Sequence, residues 1–232
     1  MYLLTETASP FALERWAAFF ANFGQFAKGF FYTLGISIGA LIVALLLGLI
    51  FGAMSSTHNK VLRGISRVYV EIFQNTPLLV QFVVVFYGIS ILTDGHVMIP
   101  ISLTAILCVG VYTGAYISEI IRTGIEAVPK GQTEAALSQG FTYADTMRTI
   151  ILPQAVRTIL PPLTNQVVNL IKNTSTVAII SGADIMFTAK AWAYDTTNYV
   201  PAFAGAAFLY FIMCFPLATW ARRKEEENKK AY

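Results

Sequence analysis

Apolar positions along this chain fall into long blocks rather than the alternating stripes of a soluble helix. Residues 29–57, 72–93, 97–118 and 196–221 contain no charged side chain, and 149–183 is interrupted only by Arg157 and Lys172. A spanning helix needs about 20 predominantly apolar residues, so every block is long enough. No polar face recurs at the 3.6-residue period between Ile36 and Phe51, which argues against a large soluble helical core. The pattern predicts five spans, at about 28–56, 62–93, 98–125, 147–180 and 197–221, in one domain covering 1–232. Ahead of them, Phe11 to Phe26 is rich in aromatics and predicts a helix lying at the interface over about 10–25. Phe19, Phe20, Phe30, Phe31 and Tyr32 are expected at that interface or against lipid. No basic segment precedes a compact apolar run, so a cleaved signal peptide is not expected. The expected fold class is an all-α integral membrane protein with five transmembrane helices, an N-terminal interfacial helix and a structured loop at 126–146.

The charged residues, 12% of the chain against about 25% in average soluble domains, decide the topology. Lys60, Arg63 and Arg67 follow the first span, Arg122, Lys130 and Arg148 the third, and Arg222, Arg223, Lys224, Lys229 and Lys230 the fifth. Basic residues favour the cytoplasmic side, which predicts the N-terminus outside and the C-terminus inside. Splitting 147–180 into two spans would carry the basic tail outside. Pro153, Pro161 and Pro162 instead suggest one broken helix, since each removes a donor and frees a carbonyl one turn earlier.

Several chemistries are excluded. No lysine follows a glycine, so there is no Gly-Lys-Ser/Thr phosphate cradle and no ATPase in this chain. His58 and His96 are the only histidines, stand far apart and lie outside the spans, which leaves neither a metal site nor a base for a serine nucleophile. Cys108 and Cys214 both fall inside spans, so a disulfide is not expected. A net charge of +3 does not suggest nucleic acid. No internal repeat is visible, which weighs against inverted-repeat carriers.

The loop before the fourth span carries the most information. Glu134 to Gln139 are good helix formers, Gly140 suits a left-handed helix stop, and Thr142 with Asp145 makes a capping-box-like restart. The expected result is a helix, a bend and a second helix. Mechanically, this is either an ordinary surface helix pair or an elbow that transmits force to a span. Glu134, Ala135, Ala136, Gly140, Ile150, Leu152 and Pro153 fit the pattern EAA-x3-G-x9-I-x-LP at every position. That loop resembles the EAA loop of permease subunits of binding-protein-dependent ABC importers. Residues 73–81 (FQNTPLLVQ), 115–132 (AYISEIIRTGIEAVPKGQ) and 172–175 (KNTS) are similar to the polar amino acid branch. The likeness extends over roughly residues 25–220.

The resemblance implies that the 134–140 helix is a coupling helix seated in a separate ABC ATPase subunit. That partner would bind ATP and Mg, with no cofactor in this chain. It also implies a second permease subunit (a copy or a paralogue), an external solute-binding protein, alternating access, and a bacterial cytoplasmic membrane.

Candidate substrate-binding residues follow from polar groups inside spans, which are costly in lipid. Asn165, Asn169 and Asn173 recur every four residues on one helix face, with Lys172 beside them. Two readings stay open: a lining for the path, or hydrogen-bonding glue between helices. Asn75, Thr76 and Gln81 flank Pro77, whose ring leaves the Phe73 carbonyl without its helical partner, and Tyr112 is a further lining candidate. Glu119 and Arg122, three residues apart, are expected as a gating or structural pair. Gly110 and Gly114 form a small-residue face suited to close helix approach. Amide-rich candidates without a buried acid favour glutamine or glutamate over arginine, histidine or cystine. The alternative is an ion-coupled secondary amino acid carrier without an ATPase. It would need an intramembrane carboxylate, and the acids read near spans are Glu71 and Glu119, at their ends.

Overall fold

The computed structural model describes residue 9 and residues 11–230; the first residue of the expected interfacial helix, residue 10, and the side chains of Lys229 and Lys230 lie outside it. Among the described residues every regular element is helical. A short helix α1 (Leu13–Ala21) breaks at Asn22 before the long α2 (Phe23–Ser55). Next come α3 (Lys60–Gln74), then α4 (Leu78–Val83), which continues through a wide π turn into α5 (Ile89–Leu92). The long α6 (Ile101–Glu126) leads to the short α7 (Lys130–Ser138) and α8 (Tyr143–Thr146). A second π turn, Met147–Ile151, opens α9 (Leu152–Asn173), which tightens into a 3-10 segment at Thr174–Ile180. Then α10 (Ile185–Thr196) and α11 (Tyr199–Lys230) follow.

Among the described residues, three helices are long and apolar enough to cross a bilayer: Phe23–Ser55, Ile101–Glu126 and the Tyr199–Lys224 part of α11. The expected span at 62–93 meets the same requirement only as a pair, Lys60–Gln74 with Leu78–Leu92, bent by 96°. It is not one gently kinked rod. Pro77 adopts extended backbone at the break, and its missing N–H prevents α3 from continuing. Helix length and composition therefore support three or four of the five expected spans. The fourth expected one is diluted by Arg157, Lys172, three prolines and its asparagines.

Packing centres on α2 and α6, which lie against each other along most of their length. Small residues make this approach possible. A Cβ on Gly110 would meet the Val43 Cβ at 2.7 Å and the Ala40 carbonyl oxygen at 3.1 Å; one on Gly114 would meet the Tyr69 hydroxyl at 2.8 Å and the Leu47 Cβ at 3.1 Å. The small-residue face expected at these two positions is the contact surface. Gly114→Val should loosen this pair by about 1–3 kcal/mol, the usual cost of overpacking, and lower the unfolding temperature of the detergent-solubilised protein. Full retention of stability would show that the two helices can separate without cost.

One buried cluster joins α2, α4, α6, α9 and the 3-10 segment through Ala40, Phe82, Val109, Leu170 and Val177. A second joins α1, α2, α10 and α11 through Phe19, Phe26, Trp192 and Leu209. Phe19 is thus a correction: it is only 4% exposed, with its ring seated where a side chain on Gly205 would otherwise lie. Phe20 and Phe31 do remain open, at 67% and 68%, whereas Phe30 and Tyr32 are half-buried, packed against the second and first clusters. The α2 surface adds Ile38, Ile42, Leu46 and Leu49, an apolar exterior suited to lipid.

Two further differences stand out. The expected break at Pro161 and Pro162 is absent, because both lie inside an uninterrupted α9. The irregular winding falls at Met147–Ile151 instead, just before Pro153, whose ring removes the donor that the Thr149 carbonyl would use. The helix α10 was not anticipated. It packs on α2 and α11 and starts at Asp184.

Candidate functional site

The 126–146 segment folds as its residues imply. Helix α7 ends in a full Schellman turn: the Gly140 N–H donates to the Leu137 carbonyl at 3.1 Å and the Phe141 N–H to the Ala136 carbonyl at 3.1 Å. Gly140 has φ +88°, the left-handed region open to glycine. The Thr142 hydroxyl then accepts the Asp145 N–H at 3.2 Å and starts α8.

Ala136 faces inward, whereas Glu134 and Ala135 face out. Ile150 packs with Val128, Ile151, Ala155 and Ile159 beneath the bend, while Leu152 and Pro153 lie on the surface. A cavity of about 640 Å³ separates the elbow from the loop after α2, with Glu134, Lys130, His58 and Tyr143 on its wall. The result is a short helix that exposes Glu134, tied by a defined turn to α9.

The break in the second expected span is built by its own polar side chains. The Asn75 amide donates to the Glu71 carbonyl at 2.8 Å, and the Thr76 hydroxyl to the Ile72 carbonyl at 2.8 Å. The Gln81 Nε2 donates to the Phe73 carbonyl at 3.2 Å and to the Thr76 hydroxyl at 2.8 Å. The carbonyl left open by Pro77 thus finds its partner in Gln81. Gln74 holds the end of α3 to α6 by donating to the Ala115 carbonyl at 3.2 Å. Asn75, Thr76 and Gln81 therefore spend their donors on capping a bend.

The α9 residues are placed differently. Asn165, Asn169 and Lys172 are exposed along one side of the helix, and Asn173 is half-buried. Asn169 makes one long contact, donating to the Gln166 side chain at 3.5 Å. These groups hold open hydrogen-bonding capacity, whereas Thr76 and Gln81 spend their donors on the bend and Asn75 keeps its amide oxygen. The 3-10 segment just beyond Asn173 packs on α4, so the two sets share one region of the bundle. Tyr112 is half-buried, its hydroxyl 3.1 Å from that of Tyr116.

Glu119 and Arg122 do pair. The Arg122 Nε donates to Glu119 Oε2 at 2.9 Å, and its other nitrogens reach Glu119 Oε1 and Glu126. Asp184 corrects the reading that only Glu71 and Glu119 bring carboxylates near the spans. It is fully buried and accepts the Met186 and Phe187 N–H groups, each at 3.1 Å, and the Tyr210 hydroxyl at 3.2 Å. Thr33 of α2 accepts the adjacent Ile185 N–H at 3.1 Å. Burial pushes the Asp184 carboxyl up to about 6, against the opposing pull of these donors. With three donors aimed at it, Asp184 is a helix cap that ties α10 to α11. An acid directly before an apolar run was the available sequence signal.

This fold and elbow define a membrane transport subunit of known type. The family model described as binding-protein-dependent transport system inner membrane component matches residues 44–225, and the chain belongs to that family of ABC transporter permeases. It is similar to the probable glutamine ABC transporter permease protein GlnM of Bacillus subtilis (strain 168), at 37% identity over 216 residues, covering 92% of this chain and 97% of that one. It is also similar to the glutamate/aspartate import permease protein GltJ of Escherichia coli (strain K12), at 33% identity over 208 residues, covering 82% and 85%. Among solved structures, the crystal structure of an amino acid ABC transporter with histidines aligns with a TM-score of 0.84 at 31% identity, covering 91% of this chain and 98% of that one. An inward-facing MetNI methionine ABC transporter shares the fold, with a TM-score of 0.69 at 17% identity over 88% of this chain and 98% of that one.

Proposed function

We propose that this chain is the transmembrane half of an importer for a polar amino acid, glutamine or glutamate ahead of arginine, histidine or cystine. The observation that carries the reading is the elbow: an exposed helix bearing Glu134, stopped by the left-handed Gly140 and continuous through α8 with α9. A push on α7 reaches the helix that carries Asn165, Asn169 and Lys172. The engine is a separate ABC ATPase that binds ATP and Mg, since this chain has no phosphate cradle of its own. A second permease, a copy or a paralogue, completes the pathway. An external binding protein delivers the amino acid, with the elbow and C-terminus on the cytoplasmic side of a bacterial inner membrane.

Glutamine and glutamate come first because relatives carry those names and because α9 offers amides and a lysine. An amide can both donate and accept, and a lysine can meet a carboxylate. The Asn169→Leu/Lys172→Ala double variant, purified with its ATPase and reconstituted with binding protein, should lose at least about tenfold in labelled glutamine uptake. That corresponds to roughly 1.4 kcal/mol, a modest share for two polar contacts. ATPase co-purification should persist. Unchanged uptake would remove α9 from the path, and failure of wild-type protein to retain any ATPase would remove the importer reading itself.

A further inference from the structure

A cavity of about 560 Å³ opens at the elbow end of the bundle, between the last turn of α2, the whole of α3 and the end of α6. Small-molecule sites commonly measure about 300–1,000 Å³. Its wall is charged with both signs, and the charges are unevenly satisfied. On α3, Arg67 pairs with Glu71 at 2.9 Å. On α6, Arg122 alone serves both Glu119 and Glu126. Two guanidiniums thus hold three carboxylates. Lys60 and Arg63, one helical turn apart on the same cavity, pair with no carboxylate among the described residues. Glu71 and Glu126 each commit a single oxygen to their arginine and keep the other.

Such a wall discriminates. A simple anion is attracted by Lys60 and Arg63 but meets three carboxylates, and a simple cation meets the reverse. A zwitterion satisfies both, with its carboxylate on Lys60 and Arg63 and its ammonium on the spare oxygen of Glu126, which faces the same end of the cavity from α6. We propose that this cavity is a second, low-affinity site for a free α-amino acid, and that its occupancy clamps α3 to α6 and slows the transport cycle. The clamp would act across the 96° break at Asn75–Pro77, the point at which α3 can change its angle to the rest of its span. The site's pairs are solvent-exposed and individually weak, which places affinity in the millimolar range. The inference rests on the amino acid importer reading and adds a site on the side where product is released.

The test uses the complete transporter, permease with ATPase and binding protein, in proteoliposomes with glutamine added on the ATPase side. At about twice a millimolar dissociation constant, binding-protein-driven uptake should fall about threefold. The Lys60→Gln/Arg63→Gln variant should show the same uptake without added glutamine and almost no inhibition with it. Inorganic phosphate should not inhibit either protein. Equal inhibition of variant and wild type overturns the proposal, as does equal inhibition by phosphate, which would make the cavity a plain anion site. If the double variant fails to assemble, Lys60→Gln alone and Glu126→Gln are compared by titrating glutamine into the purified permease–ATPase complex. Each should weaken binding at least about fivefold, and unchanged binding overturns the proposal. Absence of ATP-driven uptake in wild type counts against the importer reading; normal uptake that ignores added glutamine counts against this site alone.

Discussion

Gly140→Val should reach the membrane in normal amount and lose at least about fivefold of ATP-driven uptake. The cost is local and calculable. Gly140 sits at φ +88°, where a β-branched side chain is strained by roughly 1–3 kcal/mol. No heavy atom lies within 4 Å of the position its Cβ would take, so strain rather than crowding is the cause. The chain relieves it by abandoning the turn, which gives up the two Schellman bonds at Leu137 and Ala136. A penalty of 1–2 kcal/mol lowers the population of the correctly bent elbow by a factor of about 5–30. Glu134→Lys tests the same device from its surface, reversing one exposed charge while leaving the turn intact. For both variants the readouts are membrane abundance, retained ATPase and uptake in proteoliposomes. Normal ATP-driven uptake in both would show that α7 bears no force.

Asp184→Leu should be the most destabilising single change predicted here. It strips the acceptor from two backbone N–H groups and from the Tyr210 hydroxyl inside a fully buried site. Each buried donor left without a partner costs about 1–3 kcal/mol, and the lost helix cap is part of that sum. A total of about 4 kcal/mol lowers the melting temperature of a chain this size by about 8–16 °C. Asp184→Asn keeps an oxygen at the cap and should recover more than half of the loss. Fluorescence-detected thermal unfolding in detergent separates the three proteins. A leucine variant as stable as wild type would mean that α10 is held by its apolar face alone.

Much of this was legible before any fold was known, and the reasons differ by element. The elbow could be read because its signals are contiguous. Helix formers at 134–139, a glycine at 140 and a cap at 142 act within one turn of chain, and local geometry follows from local chemistry. Gln81 was half legible. Its position one turn beyond Pro77 suggested a kink, but whether its amide faced a solute or the open Phe73 carbonyl depended on side-chain placement. Phe19 was misread because interfacial helices and buried ones are equally aromatic; Trp192 and Gly205, far along the chain, make its pocket. The Asp184 node was missed altogether, since Thr33, Asp184 and Tyr210 are brought together from three helices.

The sequence by itself determined that the chain holds runs long and apolar enough to enter a membrane, that it has no Gly-Lys-Ser/Thr phosphate cradle, and where the turn between α7 and α8 lies. Those properties come from runs of neighbouring residues meeting a solvent, lipid or water, whose preferences are known in advance. Tertiary structure alone decided the 96° bend, the burial of an acid between α2, α10 and α11, and which asparagines keep free hydrogen-bonding groups. Each of these is settled by contacts between residues distant in the chain, where a donor takes whichever acceptor the packing brings within 3 Å.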